Sequence, residues 1–341
     1  MPHPNERTKQ HTSRDKSGAG QNIQAYLSSA NLDRDPRLIV GGLGVEDMQR
    51  REFLAYAGVA LSRAAILPSF TQSPQFLEAM IPNTRSGFAP VNGLQMYYEI
   101  HGDGEPLILL HGGVQASDAF GPNLPALAKS RQVIAVHLQG HGHTKDIDRP
   151  LRFESMADDI AALIGYLKLG QADLLGYSLG GGVALQTVIR HPASVKRLIA
   201  ISAAMAQDGS YPEVNAAFDQ MGQHAAQIAQ NIKGSPLGKL YPEVNWENLL
   251  RKIGAMESQT FDWSAQVKQI KSPTELIFAD ADSIRPEHTV AFYEALGGGM
   301  RDAGLDGSLR SGTRLGIVPG ATHYNILSTT MVAEMVLRFL S

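Results

Sequence analysis

From Gly87 onward the chain repeats one pattern: a short, continuous apolar run, then a stretch with helical periodicity. The runs are Leu94–His101, Pro106–Leu110, Gln132–Val136, Ala172–Leu175, Arg197–Ile201, Glu275–Phe278 and Arg314–Val318, the first of them alternating and the rest nearly unbroken. Helical patterns over Glu154–Leu167, Leu179–Arg190, Pro286–Leu296 and Ser328–Leu340 separate the later runs. A strand that is apolar on both sides must be covered on both faces. The pattern therefore predicts an α/β fold, with a mostly parallel central sheet of about eight strands and helices on both faces.

Composition narrows the function classes. Thirty basic against thirty-three acidic residues give a net charge of −3, which leaves no cationic excess to hold a phosphate backbone. Nucleic acid is set aside as a partner, and a small molecule is expected instead. The chain has no cysteine, which excludes disulfides, thiolate metal sites and a cysteine nucleophile. No metal-binding cluster or cofactor motif stands out. The glycine-rich stretch from Gly297 to Thr313 follows a helix rather than a strand, so it reads as a surface loop and not a phosphate cradle.

The first 85 residues differ from the rest. Residues 1–47 are expected to form a disordered tail, polar and mixed in charge over the first twenty-two residues and without a clear period after them. Residues 48–85 begin Met48-Gln-Arg50-Arg51-Glu-Phe-Leu and continue with the apolar runs Ala55–Leu61 and Ala64–Leu67. An arginine pair before a modest apolar stretch resembles a twin-arginine export signal, which implies a periplasmic or secreted protein and is simplest if translation starts at Met48. The alternative is an amphipathic leader helix packed on a cytoplasmic protein. Either way, the run is too short and interrupted for stable membrane insertion. The oligomeric state is left open.

The strongest chemical signal is Gly176-Tyr177-Ser178-Leu179-Gly180-Gly181, directly after one buried run and opening a helix. In a strand–turn–helix setting, G-x-S-x-G makes a nucleophile elbow. The turn is so tight that side chains at 176 and 180 would collide, hence glycine at both. Ser178 is the expected nucleophile. It needs a base, an orienting acid and donors for a developing oxyanion. His323, in the loop after the last strand, is the expected base. Asp280 and Asp282 both follow the preceding strand. Asp282 is preferred as the acid, with Asp280 supporting the loop. The backbone N–H groups of Gly113, in the turn His111-Gly112-Gly113, and of Leu179 are the expected oxyanion donors, with His111 positioning the turn.

The order Ser178, Asp282, His323, with His111-Gly112-Gly113 upstream, resembles the α/β-hydrolase fold superfamily over about residues 88–341, closest to esterase-like bacterial hydrolases. The resemblance implies a hydrolase domain over 86–341 with a small helical cap at about 205–272, where helical patterns run over Val214–Ile232 and Trp246–Met256. It also marks a departure: the family's D-x-x-G-x-G-x-S loop carries His137 here in place of its aspartate. Trp246, Trp263 and Tyr177 are expected to contact substrate. The implied activity is cleavage of a carboxylic ester of a small, largely apolar molecule through an acyl-enzyme. Lactonase, aminopeptidase-like, carbon–carbon hydrolase and perhydrolase chemistry use the same three residues, and a non-catalytic binder could keep the same shell.

Overall fold

A computed structural model describes residues 84–341 of the chain. The tail and the leader expected over 1–47 and 48–85 lie outside the described residues, except for the last two positions.

Eight strands form one sheet: β1 (Arg85–Val91), β2 (Leu94–His101), β3 (Pro106–Leu110), β4 (Gln132–Val136), β5 (Ala172–Tyr177), β6 (Val195–Ile201), β7 (Thr274–Ala281) and β8 (Thr313–Thr322). Their spatial order is β1-β2-β4-β3-β5-β6-β7-β8. From β4 and β3 through β8 every pairing is parallel, while β1–β2 and β2–β4 are antiparallel. Strand β1 is absent from the apolar runs above. Its sequence, RSGFAPV, holds Gly87 and Pro90, both poor strand formers, and its first residues are exposed. It is secured by a two-residue turn in which Asn92 and Gly93 have φ of 47° and 87°, the conformation that a tight hairpin needs.

Consecutive strand residues enter opposite cores, as a period of two requires. Ile108, Leu110, Ile134, Leu174 and Leu276 face one cluster. Leu107, Leu109, Val133, Leu175 and Ile277 face the other. The second cluster is closed by helices α1 (Asn123–Ala128) and α10 (Met331–Leu340). The first is closed by α2 (Phe153–Tyr166), α3 (Leu179–Arg190) and α9 (Pro286–Ala295).

Between β6 and β7 the chain leaves the sheet and builds five helices: α4 (Pro212–Met221), α5 (Ala225–Gly234), α6 (Pro236–Leu240), α7 (Trp246–Glu257) and α8 (Ser264–Val267). Proline at the first position starts α4 and α6, and the Asn245 side chain caps α7 by accepting the N–H of Asn248 at 3.2 Å. The single helix expected over Val214–Ile232 is two. The chain breaks at Gly222, where α7 crosses so closely that a Cβ on Gly254 would lie 2.9 Å from the Gly222 nitrogen. Polar ties fasten this segment to the sheet domain. The Tyr241 hydroxyl donates to Asp118 at 2.9 Å, and Lys252 donates to Asp146 at 2.6 Å and to the carbonyls of Ile147 and Arg149.

Candidate active site

The turn after β5 explains its own sequence. A Cβ on Gly176 would sit 2.1 Å from the Gly180 carbonyl oxygen, and one on Gly180 would sit 2.2 Å from that of Leu110. Neither position has room for any other residue. Between them Ser178 adopts φ 53° and ψ −120°, a conformation that costs a non-glycine residue on the order of 1–3 kcal/mol. It is held by the hydrogen bond from its N–H to Ile201 O (2.9 Å) and by the acceptance of the Gly181 and Gly182 N–H groups at its own carbonyl. The serine hydroxyl thus stands above the carboxyl edge of the sheet, at the start of α3.

Loops after β7 and β8 bring two more side chains to the same edge. His323 Nε2 lies 3.0 Å from Ser178 Oγ, and His323 Nδ1 lies 2.9 Å from Asp282 Oδ1. Asp282 is in turn over-supplied with donors: Ser202 Oγ at 2.6 Å, the Ala279 N–H at 2.9 Å and the Ile284 N–H at 3.3 Å. Burial alone would raise the Asp282 pKa. The hydrogen bond and charge of His323, with Ser202 and the Ala279 N–H, outweigh it and hold the carboxyl below its ordinary value. Asp280 turns the other way and accepts the Gly320 N–H at 2.9 Å, bracing the β8 end of the loop.

Two supporting residues were not read from the sequence in these roles. Ser202 directly follows β6, the strand beside β7, and a hydroxyl there is one residue beyond the carboxyl end of a parallel strand, the signal that would have found it. Tyr177, expected at the substrate, instead sends its hydroxyl to the His323 carbonyl at 2.5 Å. Burial first, and then the Asp282 charge, raise the pKa of that phenol, so it remains a donor.

The His111-Gly112-Gly113 turn lies at the end of β3. A Cβ on Gly113 would contact the Leu179 side chain at 3.5 Å, so the turn abuts the start of α3. Among the described residues, the Gly113 N–H has no acceptor, and the Leu179 N–H, first in its helix, has none within that helix. Three buried histidines stitch this turn to the loop after β4. His111 Nε2 accepts the Leu138 N–H (3.1 Å), His137 Nδ1 the His143 N–H (2.9 Å) and His141 Nε2 the Val114 N–H (3.3 Å). Only an unprotonated ring nitrogen can accept. Burial lowers the pKa of all three, to about 4 for His137 and His141. His137, where the family pattern has aspartate, also reaches Ser117 Oγ at 2.9 Å through Nε2. Val114 has φ 58°, a strained value for a β-branched residue, and the bond to His141 helps to hold it.

A cleft opens over Ser178, Leu179 and His323. Phe153, Phe261 and Trp263 wall it, with the Phe261 and Trp263 rings stacked at 4.3 Å and Phe153 edge-on to Trp263 at 5.2 Å. Of the three expected substrate contacts only Trp263 lines this cleft. Trp246, the first residue of α7, is 2% exposed and belongs to the first core cluster. Tyr177 is turned beneath the His323 loop. Among the described residues no cluster of histidine, aspartate and glutamate is arranged to hold a metal ion, and no helix is long and apolar enough to cross a membrane.

Comparison with known proteins agrees with this architecture. The family model of the alpha/beta hydrolase fold matches residues 105–235. A 2-hydroxymuconate semialdehyde hydrolase of Pseudomonas sp. (strain CF600) is 37% identical over 116 residues, which is 33% of this chain and 41% of that protein, so the chain spans less than half the length of this relative. A pimeloyl-[acyl-carrier protein] methyl ester esterase of Legionella pneumophila (strain Lens) is 28% identical over 218 residues, 59% of this chain and 85% of that protein. The crystal structure of the enol-lactonase from Burkholderia xenovorans LB400 superposes with a TM-score of 0.58 at 21% identity, over 74% of this chain and 99% of that one, a likeness of fold. With its eight-stranded sheet and its serine turn after β5, the chain has the α/β-hydrolase fold over the described residues, and residues 105–235 match that family's model.

Proposed function

We propose that the protein is a serine hydrolase that cleaves a carboxylic ester of a small molecule through an acyl-enzyme on Ser178. The observation that carries this reading is the unbroken chain Ser178–His323–Asp282, with links of 3.0 and 2.9 Å. His323 takes the serine proton through Nε2 as the hydroxyl oxygen attacks the carbonyl carbon. Asp282 fixes the tautomer with the proton on Nδ1 and stabilises the imidazolium that forms. Negative charge on the carbonyl oxygen is met by the N–H groups of Gly113 and Leu179, and the positive end of α3 adds to it. His323 then protonates the leaving alcohol. In the second half it takes a proton from water, which attacks the acyl carbon, and returns that proton to Ser178 Oγ as the acyl–oxygen bond breaks and the acid leaves.

The aromatic wall of Phe153, Phe261 and Trp263 favours an apolar body on the substrate. The names carried by relatives, a methyl ester esterase and a semialdehyde hydrolase among them, agree with a hydrolase. The test is labelling by a fluorophosphonate probe followed by a panel of p-nitrophenyl esters. Modification of Ser178 with turnover of short esters is the expected result. A folded protein that neither labels nor turns over any ester or lactone overturns it.

A further inference from the structure

Glu257 takes no part in the chemistry above, and its position is costly. It is the last residue of α7, where the helix dipole is negative and disfavours a carboxylate. Its side chain lines the cleft over Ser178 and is half-buried there. Among the described residues it makes no side-chain hydrogen bond and no ion pair. Burial, with no neighbouring charge to offset it, pushes its pKa up to about 7. A carboxylate so placed is poorly solvated, and a cation entering the cleft would offset that cost.

The remaining walls say what that is. Glu257 and His323 are the titratable residues that line the cleft, and no lysine or arginine does. An anionic substrate would meet a carboxyl and no counter-charge. A cation would meet one carboxylate and the rings of Phe153, Phe218, Phe261 and Trp263, whose faces attract positive charge. We propose that the cleft selects esters bearing an ammonium group, with Glu257 as its counter-charge and the aromatic wall around the adjoining carbons. The substrate class rests on the reading of Ser178 as nucleophile. The charge preference of the cleft does not.

The test measures binding and labelling separately, on the full chain at pH 8. 2-Phenylethylammonium, 2-phenylethanol and 3-phenylpropionate differ in charge at similar size. In calorimetric titration the ammonium should bind about tenfold more tightly than the alcohol and the carboxylate most weakly, a difference that one desolvated charge pair supports. It should also slow fluorophosphonate labelling of Ser178. In Glu257→Gln the preference for ammonium over alcohol should fall to about onefold, and Glu257→Asp should retain part of it. Equal binding of alcohol and ammonium, tighter binding of the carboxylate, no measurable ammonium binding, or an unchanged ratio in folded Glu257→Gln each overturns the proposal. If the Gln variant does not fold, the order of the three ligands on the wild-type protein decides. Ammonium preference without any labelling of Ser178 would sink the hydrolase reading and leave the cleft's preference standing. Labelling without the preference would do the reverse.

Discussion

Asp282 and Asp280 stand two residues apart and point to opposite sides of the same turn, one 2.9 Å from His323 Nδ1 and the other 2.9 Å from the Gly320 nitrogen. Their substitution therefore separates chemistry from support. Asp282→Asn should lower turnover by roughly ten-thousand-fold, because the imidazole keeps its place but loses its tautomer and its counter-charge. Asp280→Asn should cost less than about tenfold. Steady-state kinetics on one short ester, with folding checked by circular dichroism, makes the comparison, and a crippled Asp280 variant beside a normal Asp282 variant would refute the assignment.

Tyr177 positions the histidine loop through a single bond to a backbone carbonyl. Removing that donor by Tyr177→Phe should lower kcat about fivefold, the worth of roughly 1 kcal/mol, with little change in KM. A change confined to KM would mean that the phenol touches substrate after all.

The two tryptophans should respond differently. Trp263→Ala opens the cleft wall and should shift the preferred acyl length more than it lowers the rate on the smallest ester. Trp246→Ala empties a fully buried site and should cost about 3–5 kcal/mol in stability, read by denaturant unfolding, with selectivity retained in what remains folded.

Acid should loosen the turn that carries Gly113. Burial holds the pKa of His137 and of His141 at about 4 in the folded chain, below the ordinary imidazole value of 6.5. Between those values the unfolded chain takes up protons that the folded chain refuses, so stability falls as pH drops from 6.5 toward 4, on the order of 2 kcal/mol per histidine at the lower end. Glu275 behaves in the opposite sense. Burial pushes its pKa up to about 7, and its Oε2 is buried without a partner among the described residues. As pH rises from the ordinary glutamate value of 4.5 through 7, the unfolded chain loses this proton first and stability declines. Glu275→Gln should therefore raise the melting temperature at pH 8 and change it little at pH 4. Thermal scans of both proteins across that range decide it.

Export is the remaining proposal. The arginine pair before an apolar run supports a twin-arginine signal, and changing Arg50 and Arg51 to lysine should hold the protein in the cytoplasm. Equal export of that variant, measured by fractionation, would remove the reading.

The sheet and the Ser–His–Asp edge were legible because they depend on chain-local rules. An apolar run, a glycine turn and a helix start announce Ser178, and residues just after two later strands must reach the same edge. Strand β1 was hidden because Gly87 and Pro90 mask its alternation, and the Asn92-Gly93 hairpin was the clue that would have exposed it. Helix packing could not be read in the same way. The break at Gly222 answers a helix thirty residues away, and the burial of Trp246 against the exposure of Trp263 to the cleft depends on how the cap segment docks. Glu257 carried no signal at all, since a glutamate at a helix end is usually solvated.

The collision geometry around Gly176 and Gly180 also has a practical corollary. The backbone at the end of β3 abuts the serine turn at Gly180, so the place of the serine oxygen is tied to the spacing between neighbouring strands. Much of the cleft wall, by contrast, is supplied by an insertion between β6 and β7. Reactivity and selectivity are therefore encoded in different stretches of the gene. A mutagenesis library confined to codons 205–272 should recover clones with new substrate ranges and intact nucleophiles, whereas diversity at 176 or 180 should yield only dead ones.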